Sequence, residues 1–475
     1  MSEVLVQCKD LSFTYDGQKN KTLKDLNLEL EEGQLIFLTG ASGSGKSTFL
    51  NLLTGVIPEI IEGNLTGQLS ILGQEHLPIH ERSRHFSTVF QNPRSQFFTN
   101  HVISELVFEM ENMAFSQEEM QERLDWLDQS FPIATLSGRT IDCLSSGERQ
   151  LLALMTALIM QPRLLIFDEP SANLDYGNAM RLRRQLQALK GEGKTILVAD
   201  HRCFYLKDLI DQVILLDDNR AQVFDSQRSF DKHHTGYGLL NLFDLGDDHR
   251  PICRSKDKLF EIQRLSYQSV LEDISLSFYK GEVTTIVGVN GVGKTCLAKL
   301  IAKLVTADKG ELNLDEQALY LMQDADFQLF GSSCFKELEM TCSDRDKIVS
   351  VLKSLRIEHL AHKHPHSLSG GEKQRLQMAI AMLSPSQVII MDEPTSGLDH
   401  QSMLAVAELI TRLRKDKCLI LISHDYEFIR KTSDRIIYLK DKGVADDFYL
   451  EKNAISKLNK IYHEMEAFYE TKLEN

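Results

Sequence analysis

Two copies of one phosphate-cradling loop decide most of what this 475-residue chain can become. Gly40-Ala-Ser42-Gly43-Ser-Gly45-Lys46-Ser47 and Gly288-Val-Asn290-Gly291-Val-Gly293-Lys294-Thr295 both follow the pattern G-x-x-x-x-G-K-[ST]. Such a loop works because its backbone N–H groups close around phosphate oxygens while the helix behind it adds its dipole. It therefore needs a strand before it and a helix after it. Strand-like segments precede the loops at Gln34–Thr39 and Val283–Val287. Helices are expected over Ser47–Gly55, which ends on a glycine, and Thr295–Leu304. Alternating segments also open each half, at Val4, Val6 and Cys8 and at Phe260 and Ile262.

The loops are not alone. Each is followed by Leu-Ser-x-Gly-Glu, at Leu144–Glu148 and Leu368–Glu372, and then by an apolar strand ending in Asp-Glu-Pro. Those strands are Leu164–Phe167, before Asp168-Glu169-Pro170, and Val388–Met391, before Asp392-Glu393-Pro394. A histidine comes later in each half, 32 residues past Glu169 at His201 and 31 past Glu393 at His424. It follows a further apolar strand in both, Ile196–Ala199 and Leu419–Ile422. The signature serines Ser145 and Ser369 each stand 24 residues before the glutamate, whereas lysine to glutamate spans 123 residues in the first half and 99 in the second. The chemical frame is fixed while the segment between its parts varies, as a duplication would leave it.

Each member of the set has a task in nucleotide hydrolysis. Lys46 and Lys294 would reach the β and γ phosphates, and Ser47 and Thr295 would give a hydroxyl to Mg²⁺. Gly40, Ser42, Gly43, Gly45 and Thr48 complete the first cradle, and Gly288, Asn290, Gly291 and Gly293 the second. Asp168 and Asp392 would hold the Mg²⁺ shell from their strand ends, and Glu169 and Glu393 would polarise the attacking water. A neutral imidazole at His201 or His424 would hydrogen-bond the γ phosphate and that water. Phosphoryl transfer asks mainly for positioning and charge stabilisation, so this small group suffices.

Composition narrows the partners. The net charge is −15, which argues against a nucleic-acid backbone. No run reaches the roughly 18 to 20 apolar residues that span a bilayer, and Met-Ser-Glu-Val-Leu-Val is no signal peptide. The expectation is a cytoplasmic chain that meets a membrane only through partners. The eight cysteines form no C-x-x-C pair, which disfavours zinc and disulfides, and Cys296 reads as a small residue of the loop helix. His362, His364 and His366 alternate, but Pro365 interrupts them and an exposed loop is the plainer reading; His233-His234 reads the same way. Residues 116–129 read as a helix with a Ser116–Glu119 capping box, and Trp126 as packing.

The full set resembles the ATP-binding cassette family with two fused nucleotide-binding domains. The likeness covers about residues 3–225 and 258–445. It implies an α/β fold of two tandem P-loop NTPase domains, each a mixed-sheet core with a helical signature subdomain. The expected limits are 1–227 and 256–445, with a linker over 228–255 and a charged, helical tail over 446–475. The resemblance further implies ATP and Mg²⁺ as ligands, with head-to-tail cassettes. Lys46 then faces Ser369-Gly370-Gly371, and Lys294 faces Ser145-Ser146-Gly147. Tyr15 and Tyr267 sit where the family stacks an aromatic on adenine. Ser146 stands where the family has glycine, so the site of Lys294 is expected to be slower yet competent.

Gln91 and Gln323 occupy the position of the family's Mg²⁺- and water-touching glutamine. Gln91-Asn-Pro-Arg-Ser-Gln96-Phe-Phe and Gln323-Asp-Ala-Asp-Phe-Gln328-Leu-Phe share Gln-x4-Gln-[FL]-Phe, and each leads to a Glu-Leu pair at Glu105 or Glu337. This is similar to the ATPases of energy-coupling factor (ECF) transporters. That likeness implies uptake of a vitamin, vitamin precursor or metal ion, at the cytoplasmic face of the membrane. The implied partners are a transmembrane coupling subunit, which a groove beside this segment receives, and a small substrate-binding membrane protein. Glu105 and Glu337 are read either as facing that subunit's arginines or as solvated surface charges. Asp324-Ala325 replaces Asn-Pro in the second half. Two other readings compete: an ATPase of another transporter class, and a soluble twin-cassette translation factor. The short linker, with Asp244, Asp247 and Asp248, speaks against the latter.

Overall fold

The computed structural model describes residues 3–18, 20–90, 96–129, 131, 133–144, 146–172, 174–233 and 251–471. Gln91, Ser145 and the linker stretch 234–250, with His234, Asp244, Asp247 and Asp248, lie outside the described residues. The chain divides into two compact units, 1–173 with 178–240 and 174–177 with 241–475.

In the first unit the phosphate-loop strand Leu35–Gly40 lies inside a six-stranded sheet. The order is Phe86–Val89, Leu164–Asp168, Thr195–Ala199, Leu35–Gly40, Gln212–Asp217, Arg220–Phe224. All pairs are parallel except the last. The second unit repeats it as Leu319–Leu321, Val388–Asp392, Cys418–Ile422, Val283–Val287, Arg435–Lys440, Gly443–Tyr449. The central strands are rich in apolar and β-branched residues and buried along their whole length, as parallel strands covered on both faces must be. The parallel arrangement puts the C-terminal ends of three strands side by side. Those ends carry the loop, the Asp-Glu pair and the histidine.

A three-stranded antiparallel sheet flanks each core: Leu23–Glu31, Val4–Tyr15, Gly63–Ile71 in the first and Leu271–Tyr279, Lys258–Tyr267, Lys309–Asn313 in the second. Helices form a third layer. They are Val102–Asn112, Gln117–Asp128 and Ser146–Ile159 in one unit, and Cys334–Thr341, Arg345–Ser354 and Gly370–Leu383 in the other. The capping box of Ser116 and Glu119 is present, and the lysine Nζ of Lys194 sits 5.9 Å above the Trp126 ring.

Three boundaries differ from the sequence reading. The second loop helix stops at Ile301 rather than Leu304, because Lys303 turns left-handed and hands its side chain to the Leu314 carbonyl. The expected linker start is helical over Gln227–His233, and Phe230 is buried. The segment from Asp446 is not a tail at its outset. Asp446–Tyr449 completes the edge strand Gly443–Tyr449, and Ile455–Thr471 is an amphipathic helix with Leu458, Ile461, Tyr462 and Met465 buried. Its charge runs hid an apolar face at i, i+3, i+4, i+7.

Candidate functional site

Each phosphate loop turns into its helix through a glycine in left-handed backbone. Gly45 and Gly293 cap helices Lys46–Thr54 and Lys294–Ile301 at φ 103° and 107°. A Cβ there would also strike Leu23 Cδ2 at 2.6 Å or Leu271 Cδ2 at 2.8 Å. Left-handed backbone and a closed space together demand glycine. The lysines that follow are buried. Lys46 Nζ donates to the Gly40 and Ala41 carbonyls at 2.9 and 3.1 Å, and Lys294 Nζ to Gly288 and Val289 at 2.9 and 3.0 Å. Burial pulls the Lys294 ammonium below its ordinary range, against the opposing pull of Glu393 and Asp392.

The crown of each loop is exposed at Ser42, Gly43 and Gly291 and half-buried at Asn290, and the hydroxyl residues Ser47 and Thr295 are exposed. Thr48 Oγ1 is 2.9 Å from the Tyr15 hydroxyl, so Tyr15 stands at the end of its strand beside the first loop helix. Tyr267 ends the matching strand Lys258–Tyr267 and packs on the second core. Cys296 packs there too, as a small core residue.

The Asp-Glu pairs sit where the apolar strands end. Burial, together with Glu169, pushes the Asp168 carboxyl up to about 6, while Lys46 opposes the rise. Asp392 Oδ2 accepts from Thr295 Oγ1 at 2.9 Å and from the Tyr320 hydroxyl at 2.7 Å. Burial and Asp392 push that phenol well above its ordinary range, so it stays a donor. A hydroxyl and a carboxylate meeting at the mouth of a phosphate loop are hard oxygen donors of the kind Mg²⁺ takes. In this respect the second cassette's residues fit the ion.

Glu169 and Glu393 both stand at positive φ, 48° and 49°. Their N–H groups still reach the neighbouring strand, Glu169 to the Ala199 carbonyl at 2.7 Å and Glu393 to Ile422 at 2.9 Å. The backbone thus stays in the ladder while turning left-handed, a strained choice for a residue with a side chain. The carboxylates meet the histidines: His201 Nε2 lies 3.4 Å from Glu169 Oε1, and His424 Nε2 lies 3.2 Å from Glu393 Oε1. Burial works to raise the Glu169 carboxyl, but His201 and Lys46 outweigh it and hold it below its ordinary range.

Gln323 is exposed at the bend after Leu319–Leu321, the strand beside Asp392. The second glutamine of the shared pattern is a clamp. Gln96 Oε1 accepts from Phe90 N and its Nε2 donates to Ala153 O and Thr156 Oγ1; Gln328 Oε1 accepts from Met322 N and its Nε2 donates to Tyr320 O. Glu105 and Glu337 are not solvated surface charges. Glu105 is 5 % exposed and accepts from Phe98 N, Thr99 N and Thr99 Oγ1, and Glu337, 6 % exposed, accepts from Phe330 N and Gly331 N. The two carboxylates tie down a turn and leave Phe98 and Phe330 75 % and 78 % exposed. Glu109 lines the first groove together with Glu105, beside Phe90, Phe98 and Phe108 around a cavity of about 250 Å³.

The second signature starts its helix with a capping box of Ser369 and Glu372. Ser369 N and Oγ both donate to Glu372 Oε2 at 2.8 Å. A Cβ at Gly370 would meet nothing within 4 Å, and its φ is not left-handed, so its own cassette does not require glycine there. Gly371 follows in the same helix, whereas Gly147 belongs to helix Ser146–Ile159. Among the described residues no group of histidine, cysteine, aspartate and glutamate forms a metal cluster, and His366 is spent on the Leu329 carbonyl at 3.0 Å.

A family model described as "ABC transporter" matches residues 23–172 and 271–396. A putative ABC transporter ATP-binding protein of Treponema denticola is 34% identical, over 98% of this chain and all of that protein. The putative HMP/thiamine import ATP-binding protein YkoD of Bacillus subtilis is 28% identical, over 93% of this chain and 91% of its own length. Among solved structures, an archaeal ribosome recycling factor bound to a ribosomal stalk protein superposes with a TM-score of 0.66 at 22% identity, covering 95% of this chain and 92% of that one. An RNase-L inhibitor gives 0.65 at 22%, covering 95% and 93%. At that identity the likeness shows the fold alone. No described helix is long and apolar enough to cross a membrane. With the loop, the Asp-Glu pair and the histidine built twice, and with a family match on each half, the chain belongs to the ABC transporter family and is an ATPase with two cassettes in one polypeptide.

Proposed function

We propose that this ATPase drives an ECF-type importer for a vitamin, vitamin precursor or metal ion. Its partners in that reading are a transmembrane coupling subunit and a small substrate-binding membrane protein, at the cytoplasmic face. One observation carries the proposal: in both cassettes the described residues that close the Gln-x4-Gln-[FL]-Phe pattern are held from within, by Gln96 or Gln328 and by a buried glutamate, so that an aromatic stands in solvent. Phe98 stacks on Phe108 at 5.0 Å, and Phe327, Phe330 and Met340 are 72, 78 and 63 % exposed. An apolar patch so firmly presented suits the apolar face of a partner helix. The name of the Bacillus subtilis relative, with its HMP/thiamine import, supports the same direction.

In each cassette the loop amides and Lys46 or Lys294 bind the phosphates of ATP. Tyr15 and Tyr267 offer ring faces to the adenine. Mg²⁺, when bound, would neutralise phosphate charge; Ser47, Asp168 and Gln91 would hold it in the first cassette, and Thr295, Asp392 and Gln323 in the second. Glu169 and Glu393 polarise the attacking water, and His201 and His424 hold those carboxylates in place. Signature residues Ser145, Gly147, Ser369, Gly370 and Gly371 complete the phosphate contacts.

The test is purification of the tagged chain from gently solubilised native membranes, alongside a Phe98→Ser/Phe330→Ser variant. Recovery with a multi-helix membrane protein and a small membrane binder, lost in the variant while ATP turnover persists, is the expected result. Sedimentation with ribosomes and no membrane protein would replace the reading with the twin-cassette translation factor.

A further inference from the structure

The loops carrying the two histidines are braced in different ways. In the first cassette the brace is local. Asp200, 2 % exposed, accepts from His201 N and Arg202 N through Oδ1 at 2.7 and 3.0 Å. Its Oδ2 accepts from Ser171 N at 3.2 Å and from the Tyr205 hydroxyl at 2.7 Å. The second cassette has Ser423 at the matching place, and a serine cannot gather four donors. Ser423 Oγ accepts from Asp425 N at 3.1 Å, and a further brace comes from helix Ile455–Thr471. The Tyr462 hydroxyl donates to the His424 carbonyl at 3.0 Å, and the Tyr462 ring meets Tyr426 edge-on at 5.1 Å. The Tyr426 hydroxyl in turn bonds Asn459 of the same helix.

This helix is firmly seated. Tyr462 and Leu458 are fully buried, and the ion pairs Lys457–Asp446 at 2.8 Å and Lys440–Glu464 at 3.1 Å tie its outer face to the edge of the sheet. Farther along, Glu464, Ala467 and Phe468 stand with Asn290, Gly291 and Val292 around a cavity of about 760 Å³. One element thus stands beside the histidine loop and the phosphate loop of one site.

We propose that helix Ile455–Thr471 is a positioning element of the second ATPase site, acting through Tyr462 on the backbone of His424. The first site does without it because Asp200 and Tyr205 hold His201 from within. The inference rests on the ATPase chemistry alone and holds whatever the motor drives.

Tyr462→Phe tests it, because the ring and its packing remain and only the hydroxyl is lost. Read in a Glu169→Gln chain, where the second site alone can turn over, kcat for ATP should fall about 3- to 10-fold with KM within twofold, the range that one lost hydrogen bond allows. The same change in a Glu393→Gln chain should leave the rate alone, and Tyr205→Phe should show the mirror pattern. A purely structural role would instead lower the melting temperature and both rates together. Equal losses in the two chains, or none in the Glu169→Gln chain, overturn the proposal. Should both single-site chains be silent, amide exchange decides: Tyr462→Phe must speed exchange over 423–426 and spare 199–206, and unchanged exchange at 423–426 overturns it.

Discussion

Asp392 holds two hydroxyls on one carboxylate oxygen, Thr295 and Tyr320. The tyrosine has no equal in the first cassette. Tyr320 pairs with Ile390 across the sheet just as Thr88 pairs with Ile166, so the same position there carries a short side chain. A donor that orients a metal-holding carboxylate tunes the ion's affinity. Tyr320→Phe should therefore raise the Mg²⁺ concentration for half-maximal turnover about 10-fold, read with Glu169→Gln so that the second site reports alone. An unchanged Mg²⁺ dependence would remove Tyr320 from the site. The loop lysines, the Asp-Glu pairs and the histidines were legible in sequence because their spacing repeats. Tyr320 was not: it lies 72 residues from Asp392 in sequence, and only parallel pairing of two strands brings it alongside. Glu105 and Glu337 were legible as a repeat, but not as buried acceptors, because a pattern shows position and not which backbone N–H groups a carboxylate will meet.

At the scale of elements, helix Val102–Asn112 closes the first groove with an acid it does not neutralise. Burial pushes the Glu109 carboxyl from its ordinary range up to about 6. A group whose folded value is raised binds its proton more tightly in the folded chain. Its contribution to stability is present in full below the unfolded value and is lost as pH rises through about 6. Above that, the carboxylate burdens the fold by about 1 to 2 kcal/mol. Glu109→Gln should thus be more stable than the parent in urea at pH 8 by about that amount and equal to it near pH 4.5. A difference that does not change with pH would mean that Glu109 is solvated in both states. The second groove has Thr341 at the corresponding place, 232 residues on, so no such dependence is expected there. Helices were legible where a cap or a repeat marked them, as at Ser116. The helix Ile455–Thr471 was legible as a charged helix, but its apolar face was not, since those residues appear as a face only once the backbone is wound.

Taken as a whole, the molecule has copied one frame and supported it differently each time. Tyr320 against Thr88, Ser423 against Asp200, and Gly370 against Ser146 are three departures around the same chemistry. Glu169→Gln and Glu393→Gln should therefore leave residual ATP turnover that differs at least about threefold, since each departure is worth on the order of one hydrogen bond. Equal residual rates would count against any functional asymmetry.

The two glutamates carry a consequence for anyone who evolves this protein in the laboratory. At φ near 48° a side chain costs about 1 to 2 kcal/mol of backbone strain that glycine would not feel. A screen that rewards heat resistance alone would favour Glu169→Gly and Glu393→Gly, and its best survivors would be robust proteins unable to burn fuel. Only a selection that couples survival to work keeps these two residues where they are.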